Sequence, residues 1–244
     1  INLELIVADL AVVDRRHERT SRAAKAKEAA AMRELEALDR LREHLNNGLA
    51  VRTMARDDAV SDVLAEINLL TAKPMLVIAN VDEDYLASFH VDFSPEDAAV
   101  SRVKEIAEAE GCRAVVVCAD LEAQLQELDP DEAREYMASL GVDEAGLDRV
   151  IRAGYELLNL ISFLTAGEPE VRAWTITRGT SAVLAAGEIH SDIERGFIRA
   201  EVTPYDDLAA LGSFAAAKER GVQRLEGRDY VMRDGDVVLF RFSG

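Results

Sequence analysis

Two runs in this chain, "PMLVIAN" (residues 74–80) and "RAVVVCA" (residues 113–119), are apolar along nearly their whole length. A strand with one wet face alternates apolar and polar residues. These runs do not, so they read as strands of a sheet covered on both faces, the habit of parallel sheets. Between them "SPEDAAVSRVKEIAEAEG" reads as a helix, with Ser94 as its cap and Pro95 at its first position. Strand, helix and strand in that order make a parallel unit. An α/β layer is therefore expected over residues 71–160. Two strands make half a sheet at best, so an exposed apolar edge is expected, with poor solubility or compensating association.

The flanking segments have other patterns. Residues 1–70 are rich in Ala, Leu, Glu, Arg and Lys, and "INLELIVADLAVVDRRHERTSR" and "AMRELEALDRLREHLNNG" are long amphipathic runs. In the second, Met32, Leu35, Leu38, Leu41 and Leu45 form one apolar stripe, and Gly48 stops the helix. With a third helix, "DAVSDVLAEINLL", they predict an antiparallel, coiled-coil-like hairpin, in which His17 and His44 have packing or solvated roles. After the α/β layer, "DPDEAREYMASLG" and "GLDRVIRAGYELLNLISFL" continue the helical pattern. Over residues 161–244, "EVRAWTI", "GFIRAEV", "RDYVM" and "VVLFRFS" read as short strands, with "TSAVLAAGEIH" and "DLAALGSFAAAKERG" as helices between them. That pattern is a β-grasp, ubiquitin-like sheet crossed by a helix, in which Trp174 and Phe197 are core residues. The expected fold class is thus α/β plus α+β, in three parts.

Charge and cysteine usage narrow the function. The 244 residues carry 46 acidic and 28 basic side chains, a net charge of −18, which argues against tight non-specific nucleic-acid binding. Residues 163–244 hold 13 acidic and 10 basic residues, so most of the excess lies upstream and a local basic patch remains open there. Cys112 and Cys118, about 20 Å apart along an extended strand, are too distant for a disulfide and read as reduced, buried thiols. No His or second thiol pair stands at metal-ligand spacing, so no metal site is expected in this chain. No apolar run nears the roughly 20 residues of a membrane span, and no signal peptide opens the chain, so a cytoplasmic protein without a membrane partner is expected.

The first strand ends in Asn80-Val81-Asp82-Glu83. One reading is a turn, which Asn and Asp favour. The other is a base-recognition loop, since open α/β sheets bind ligands at the carboxyl ends of their strands. Guanine-specific GTPases place an Asn-Lys-x-Asp loop there, whose Asp takes two hydrogen bonds from guanine N1–H and the 2-amino group. Adenine offers neither donor, and Glu83 stands where that Asp would be. The Asn80 amide can still pair with purine N7 and an exocyclic amine, as in adenine readout. The second strand ends in Cys118-Ala119-Asp120, where GTPases carry a Ser-Ala-Lys type motif that closes over the base through backbone N–H groups. Asp120 and Glu122 read as a solvated helix start.

These two loops, with "NLLTAKPMLVIANVDED", "GLDRVIRAGYELLNLISFLTAGEPEVRAWTITRGT", "IHSDIERGFIRAEV" and "RLEGRDYVMRDGDVVLFRF", resemble the YchF-type Obg-like ATPase family along essentially the whole chain. The resemblance implies a Ras-like P-loop nucleotide-binding domain interrupted by the helical hairpin and followed by a TGS domain. It implies ATP as the nucleotide, with Asn80 and Glu83 in the base loop and base-contacting backbone at Val81, beside Cys118 and Ala119. It also implies ribosome or RNA contact, for which Arg178, Arg195, Arg199, Arg224 and Arg228 are the candidates, and translation- or stress-related regulation without DNA as a partner. The family's phosphate-binding Gly-x-x-x-x-Gly-Lys-Ser loop, its Mg²⁺-site Thr, its Asp-x-x-Gly switch and its catalytic His are absent, and His90 and His190 do not match the last. The chain is therefore expected to be a portion of a longer ATPase, inactive alone, with Mg²⁺ and the catalytic residues elsewhere. The alternative is a non-catalytic adaptor that binds ribosome, RNA or protein through the hairpin and the β-grasp part.

Overall fold

A computed structural model describes residues 2–24, 29–83, 85, 98–167 and 170–243. His90, Ser94 and Pro95 lie outside the described residues. The chain forms two compact units, Ile1–Ala153 and Gly154–Gly244.

In the first unit, α1 (Asn2–Ala24) and α2 (Ala29–Asn46) lie along each other. Asp14 pairs with Arg42, His17 with Asp39 and Thr20 with Glu34, so residue numbers rise on one helix as they fall on the other. The pair is antiparallel. Its seam is Ile6 and Val13 against Leu38, Leu41 and Leu45, continued by Val51, Leu69 and by Val60 and Val63 of α3 (Asp58–Glu66). Met32, read as part of the stripe, is instead 57% exposed, and the small Ala31 and Ala37 are buried close by. Gly48 follows α2 at φ 73°, the left-handed conformation that ends helices and suits glycine.

Three polar joints fasten the base of this helical pair. Asp9, 1% exposed on α1, accepts hydrogen bonds from Leu70 N, Thr71 N and Thr71 Oγ1, each at 2.7 Å. It thereby caps the short 3₁₀ turn Leu70–Ala72 that leads into the first strand. Arg52, its side chain 6% exposed, donates to the Glu110 carboxylate at 3.0 Å and to the Glu110 carbonyl at 3.1 Å, while Asn2 Nδ2 donates to the same carboxylate at 2.7 Å. Asp57 caps α3 through the Val60 N–H at 2.9 Å and takes both Nη atoms of Arg40.

The Arg40 hydrogen bonds first, then the Val60 N–H, hold the Asp57 carboxyl down at about 2, below its ordinary 3.8. A depressed carboxyl stabilises the fold above its unfolded value and loses that contribution as pH falls through its folded one. The melting temperature of the protein should therefore fall less steeply between pH 4 and pH 2 in Asp57→Asn than in the wild type, as followed by circular dichroism.

The α/β layer is a two-stranded parallel sheet, β1 (Leu76–Asn80) with β2 (Arg113–Val117), in register from Leu76↔Arg113 to Asn80↔Val117. Alternate residues of β2 enter different clusters: Val116 and the following Cys118 pack with Val100 of α4 (Ala98–Ala109), and Val115 and Val117 pack with Val150 and Ala153 of α7 (Gly146–Leu157). Both faces of β2 are covered, as its unbroken apolar run requires. β1 is more open, as two strands alone predict: Ile78 is 52% exposed and Asn80 is exposed. β1 has a single partner among the described residues and so stands at an edge. After β2 come α5 (Ala119–Leu125) and α6 (Pro130–Ser139), the latter capped by Asp129 with Pro130 at its first position.

The second unit is a five-stranded sheet in the order β4-β3-β7-β5-β6. Its strands are β3 (Leu160–Ala166), β4 (Val171–Thr177), β5 (Phe197–Pro204), β6 (Arg224–Glu226) and β7 (Asp236–Phe242), with β3 and β7 parallel and the other pairs antiparallel. Between the strands lie α8 (Ala182–Ile189), α9 (Ser191–Arg195), α10 (Tyr205–Leu211) and α11 (Phe214–Glu219). Ala182, Ala185 and Ala186 of α8 join Ile161, Phe163, Ile176, Ala200, Val202, Val238 and Phe240 in one core. Three alanines on its inner side let the helix approach the sheet closely.

Two expectations are corrected here. "LISFL", read as the tail of a helix, lies in strand β3. Asn159, at φ 55°, ends the turn after α7 in a left-handed conformation that a helix cannot continue. "RDYVM" is not a strand; it makes one isolated bridge, Ser181↔Val231, and the strand lies earlier, at β6. The Tyr230 and Arg228 carbonyls are spent on Ala182 N (2.7 Å) and Val183 N (3.3 Å), so this segment serves the first turn of α8 and not a ladder. The sheet face opposite α8 carries the cross-strand pair Arg199 and Arg241, both bridged to Glu201, with Leu225 and Leu239 exposed opposite Glu201 on the two neighbouring strands. Among the described residues no helix is long and apolar enough to cross a membrane.

Candidate base-recognition site

The carboxyl ends of β1 and β2 are joined by side chain as well as by ladder. Pairing continues one residue past β1, where Val81 N donates to Val117 O at 2.9 Å. Asn80 then turns its amide across the gap, and its Oδ1 accepts the Ala119 N–H at 3.0 Å. Ala119 is the first residue of α5, so its N–H has no partner inside the helix, and the asparagine supplies one. The two strand ends are brought together by this bond.

The neighbouring residues divide in function. Asp82 Oδ1 accepts the Tyr85 N–H at 2.8 Å, the local turn expected of an aspartate at this place. The Val81 N–H is consumed by the ladder, and its side chain packs towards Val116, Cys118 and Leu121. Cys118 is fully buried; its thiol belongs to the core and only its backbone borders the loop. Cys112 is also buried, and both cysteines are free thiols.

Glu83 is held by a residue that the sequence did not single out. Tyr136 of α6 donates its hydroxyl to Glu83 Oε1 at 2.7 Å, and Gln124 Oε1 lies 3.1 Å from the same phenol oxygen. The hydrogen bond to the Glu83 carboxylate, and then burial, push the Tyr136 phenol above its usual range. The signal in the sequence was a lone aromatic in the otherwise polar "DPDEAREYMAS". Glu122 is corrected from solvated to structural. Its Oε1 accepts the Gly146 N–H at 2.6 Å, at the start of α7. A Cβ at Gly146 would come within 2.8 Å of that oxygen and 3.0 Å of Val117 Cγ1, so the close approach of α7 to β2 requires glycine. Asp120 stays exposed.

The arginines of the second unit are scattered. Arg195 pairs with Asp192, Arg199 with Glu201, and Arg224 with Glu226, the Tyr230 hydroxyl (2.9 Å) and the buried Asp236. Arg228 lies over the Phe197 ring at 5.8 Å and Arg178 is exposed. Trp174 is partly buried, with Arg172 over its ring at 4.2 Å and its Nε1 donating to Thr165 at 2.9 Å; Phe197 is buried. His190 accepts the Asp192 N–H through Nδ1 and so caps α9. Among the described residues no group of three or more His, Cys, Asp and Glu side chains is placed to hold a metal ion.

Comparison with known proteins gives concordant results. The family model YchF-GTPase_C, described as a protein of unknown function, matches residues 160–243. The chain is 45% identical over 243 residues to the ribosome-binding ATPase YchF of Bacillus subtilis, covering 100% of this chain and 65% of that protein. The ribosome-binding ATPase YchF of Pasteurella multocida is also 45% identical, with the same coverage. The solved structure of the Schizosaccharomyces pombe YchF GTPase superposes with a TM-score of 0.85 at 28% identity, over 99% of this chain and 64% of that one. The chain thus spans just under two thirds of the length of the curated relatives it matches.

Proposed function

The chain belongs to the YchF family, and from that premise we propose that it carries the base-reading loop of a cytoplasmic, ribosome-binding ATPase that acts in translation or stress regulation. One observation carries the reading. The Asn80 amide bonds to Ala119 N at 3.0 Å and so closes the two strand-end loops against each other, at the edge where open α/β sheets take their ligands. An amide oxygen accepts two hydrogen bonds and the nitrogen donates two. Asn80 therefore keeps a donor for purine N7 and a second lone pair for an exocyclic amine. The family relatives differ in the base named for them, ATPases in the two bacteria and a GTPase in the yeast structure. The glutamate at position 83, in place of an aspartate, favours ATP.

The residues present fit the base and not the rest of the nucleotide. The 244 residues contain no Gly-x-x-x-x-Gly-Lys-[Ser/Thr] pattern. Phosphate binding, Mg²⁺ and hydrolysis are assigned to other parts of the complete protein, because that chemistry depends on a phosphate cradle and a metal. The second unit is assigned as a TGS-type β-grasp domain, which its mixed sheet and single-sided helix cover support. With the coiled-coil-like hairpin it would provide the ribosome-facing surface, where Arg178 and Arg228 are more available than Arg195, Arg199 and Arg224, each held by a carboxylate.

Nucleotide titration of the complete protein is the test. Wild type should bind ATP at least about tenfold more tightly than GTP, and Glu83→Asp should narrow that gap. A clear preference of wild type for GTP overturns the reading of Glu83. Failure to bind either nucleotide replaces it with the adaptor function.

A further inference from the structure

We infer that Tyr136 is a specificity-determining residue, which holds the Glu83 carboxylate back from the position where a guanine would be read. The inference rests on the base-loop reading above and adds to it a residue that stands 53 positions further along the chain.

Glutamate in place of aspartate is not by itself a barrier to guanine. A glutamate has one more rotatable bond, and a free one can fold back to set its carboxylate against the N1–H and 2-amino donors. Something must restrain it, and the structure contains a restraint. The 2.7 Å bond from the Tyr136 hydroxyl to Glu83 Oε1 is charge-assisted, the stronger kind of hydrogen bond. The phenol stays protonated at neutral pH, since the same contact raises its pKa, and so it remains a donor.

The phenol is itself positioned. α6 has no fully buried residue, and Tyr136, Leu140 and Val142 seat it and the turn after it against the cluster of Val100, Val116, Cys118 and Leu121. Cys118 and Leu121 flank Ala119, whose N–H engages Asn80. Gln124, on the same helix as Ala119, meets the phenol from a second direction at 3.1 Å. One cluster thus sets the place of both the amide that pairs with a purine and the tyrosine that withholds the carboxylate. Adenine has no donor at N1 or C2, so a withheld carboxylate does not penalise it, whereas guanine loses two hydrogen bonds.

The test uses the complete protein and fluorescent ATP and GTP analogues, on wild type, Tyr136→Phe and Glu83→Ala. Tyr136→Phe keeps the ring and removes the tether. The ratio of ATP to GTP affinity should fall at least tenfold in Tyr136→Phe through a gain in GTP affinity, with the melting temperature close to that of wild type. Tyr136→Phe combined with Glu83→Ala should abolish that gain, because no carboxylate remains to reach the guanine. Wild-type preference for ATP with an unchanged ratio in Tyr136→Phe overturns the role of Tyr136 and leaves the base loop standing. A ratio that falls only through weaker ATP binding, or a GTP gain that persists in the double variant, overturns it as well. Wild-type preference for GTP overturns the base-loop reading itself.

Discussion

Asp9→Ala is expected to lower the melting temperature of the first unit by roughly 10 °C, the largest single-residue effect on stability anticipated here. The carboxylate is 1% exposed and receives three hydrogen bonds, from two backbone N–H groups and one hydroxyl. Alanine removes the acceptor and leaves the two buried Thr71 donors without water. Each orphaned buried donor costs about 1–3 kcal/mol, and with partial relaxation the sum is about 3–5 kcal/mol. That is a large share of the roughly 5–15 kcal/mol by which domains are stable. Thr71 also receives the Val51 N–H at 3.1 Å through its hydroxyl, so the damage reaches the turn after α2 as well. Asp9→Asn keeps the shape and one acceptor oxygen and should fall between wild type and alanine. Calorimetry on the three proteins checks this, and a shift below about 2 °C for Asp9→Ala would show that the site relaxes or takes up water.

The second large effect is on ligand binding. Asn80→Ala should weaken ATP binding by the complete protein by about 10–100-fold, the range for loss of one bidentate amide–purine contact of about 1–3 kcal/mol. Stability should change by only about 1 kcal/mol, because the bond to Ala119 N is exposed and water can replace it. Asn80→Asp separates the two tasks of the amide. Its carboxylate still accepts the Ala119 N–H, at a helix start that favours negative charge, but it cannot donate to N7. It should therefore keep the melting temperature and lose the nucleotide. Calorimetric titration with ATP decides, and an affinity within threefold of wild type in both variants removes Asn80 from the site.

Much of the first unit was legible because its sequence signals are local. β2 is an unbroken run of apolar residues, and it is covered on both faces. The α1–α2 seam follows a three- and four-residue spacing that needs no knowledge of partners; it fails only at Met32, near the undescribed residues 25–28. β3 was hidden because its apolar residues follow those of α7 without a break in composition, and the punctuation is a single residue, Asn159, at positive φ. "RDYVM" has the composition of a strand, but its carbonyls are taken by α8, a choice made by tertiary structure. Asn80, Val81 and Ala119 could be named as candidates because they stand at or just past the ends of strands. Tyr136 could not, since its relation to Glu83 is a contact across 53 positions that no spacing encodes.

The uncovered side of the second unit's sheet limits what can settle there. Glu201 is 12% exposed and bridged to Arg199 and Arg241, and the trio sits among Leu225 and Leu239. Pressing a dry, greasy surface onto those ions would strip their hydration, and the desolvation would outweigh the gain from the leucines. Stacking of two such sheets in a concentrated solution is disfavoured for the same reason. A visitor to this side must bring acceptors for the two guanidinium groups or leave a film of water in place.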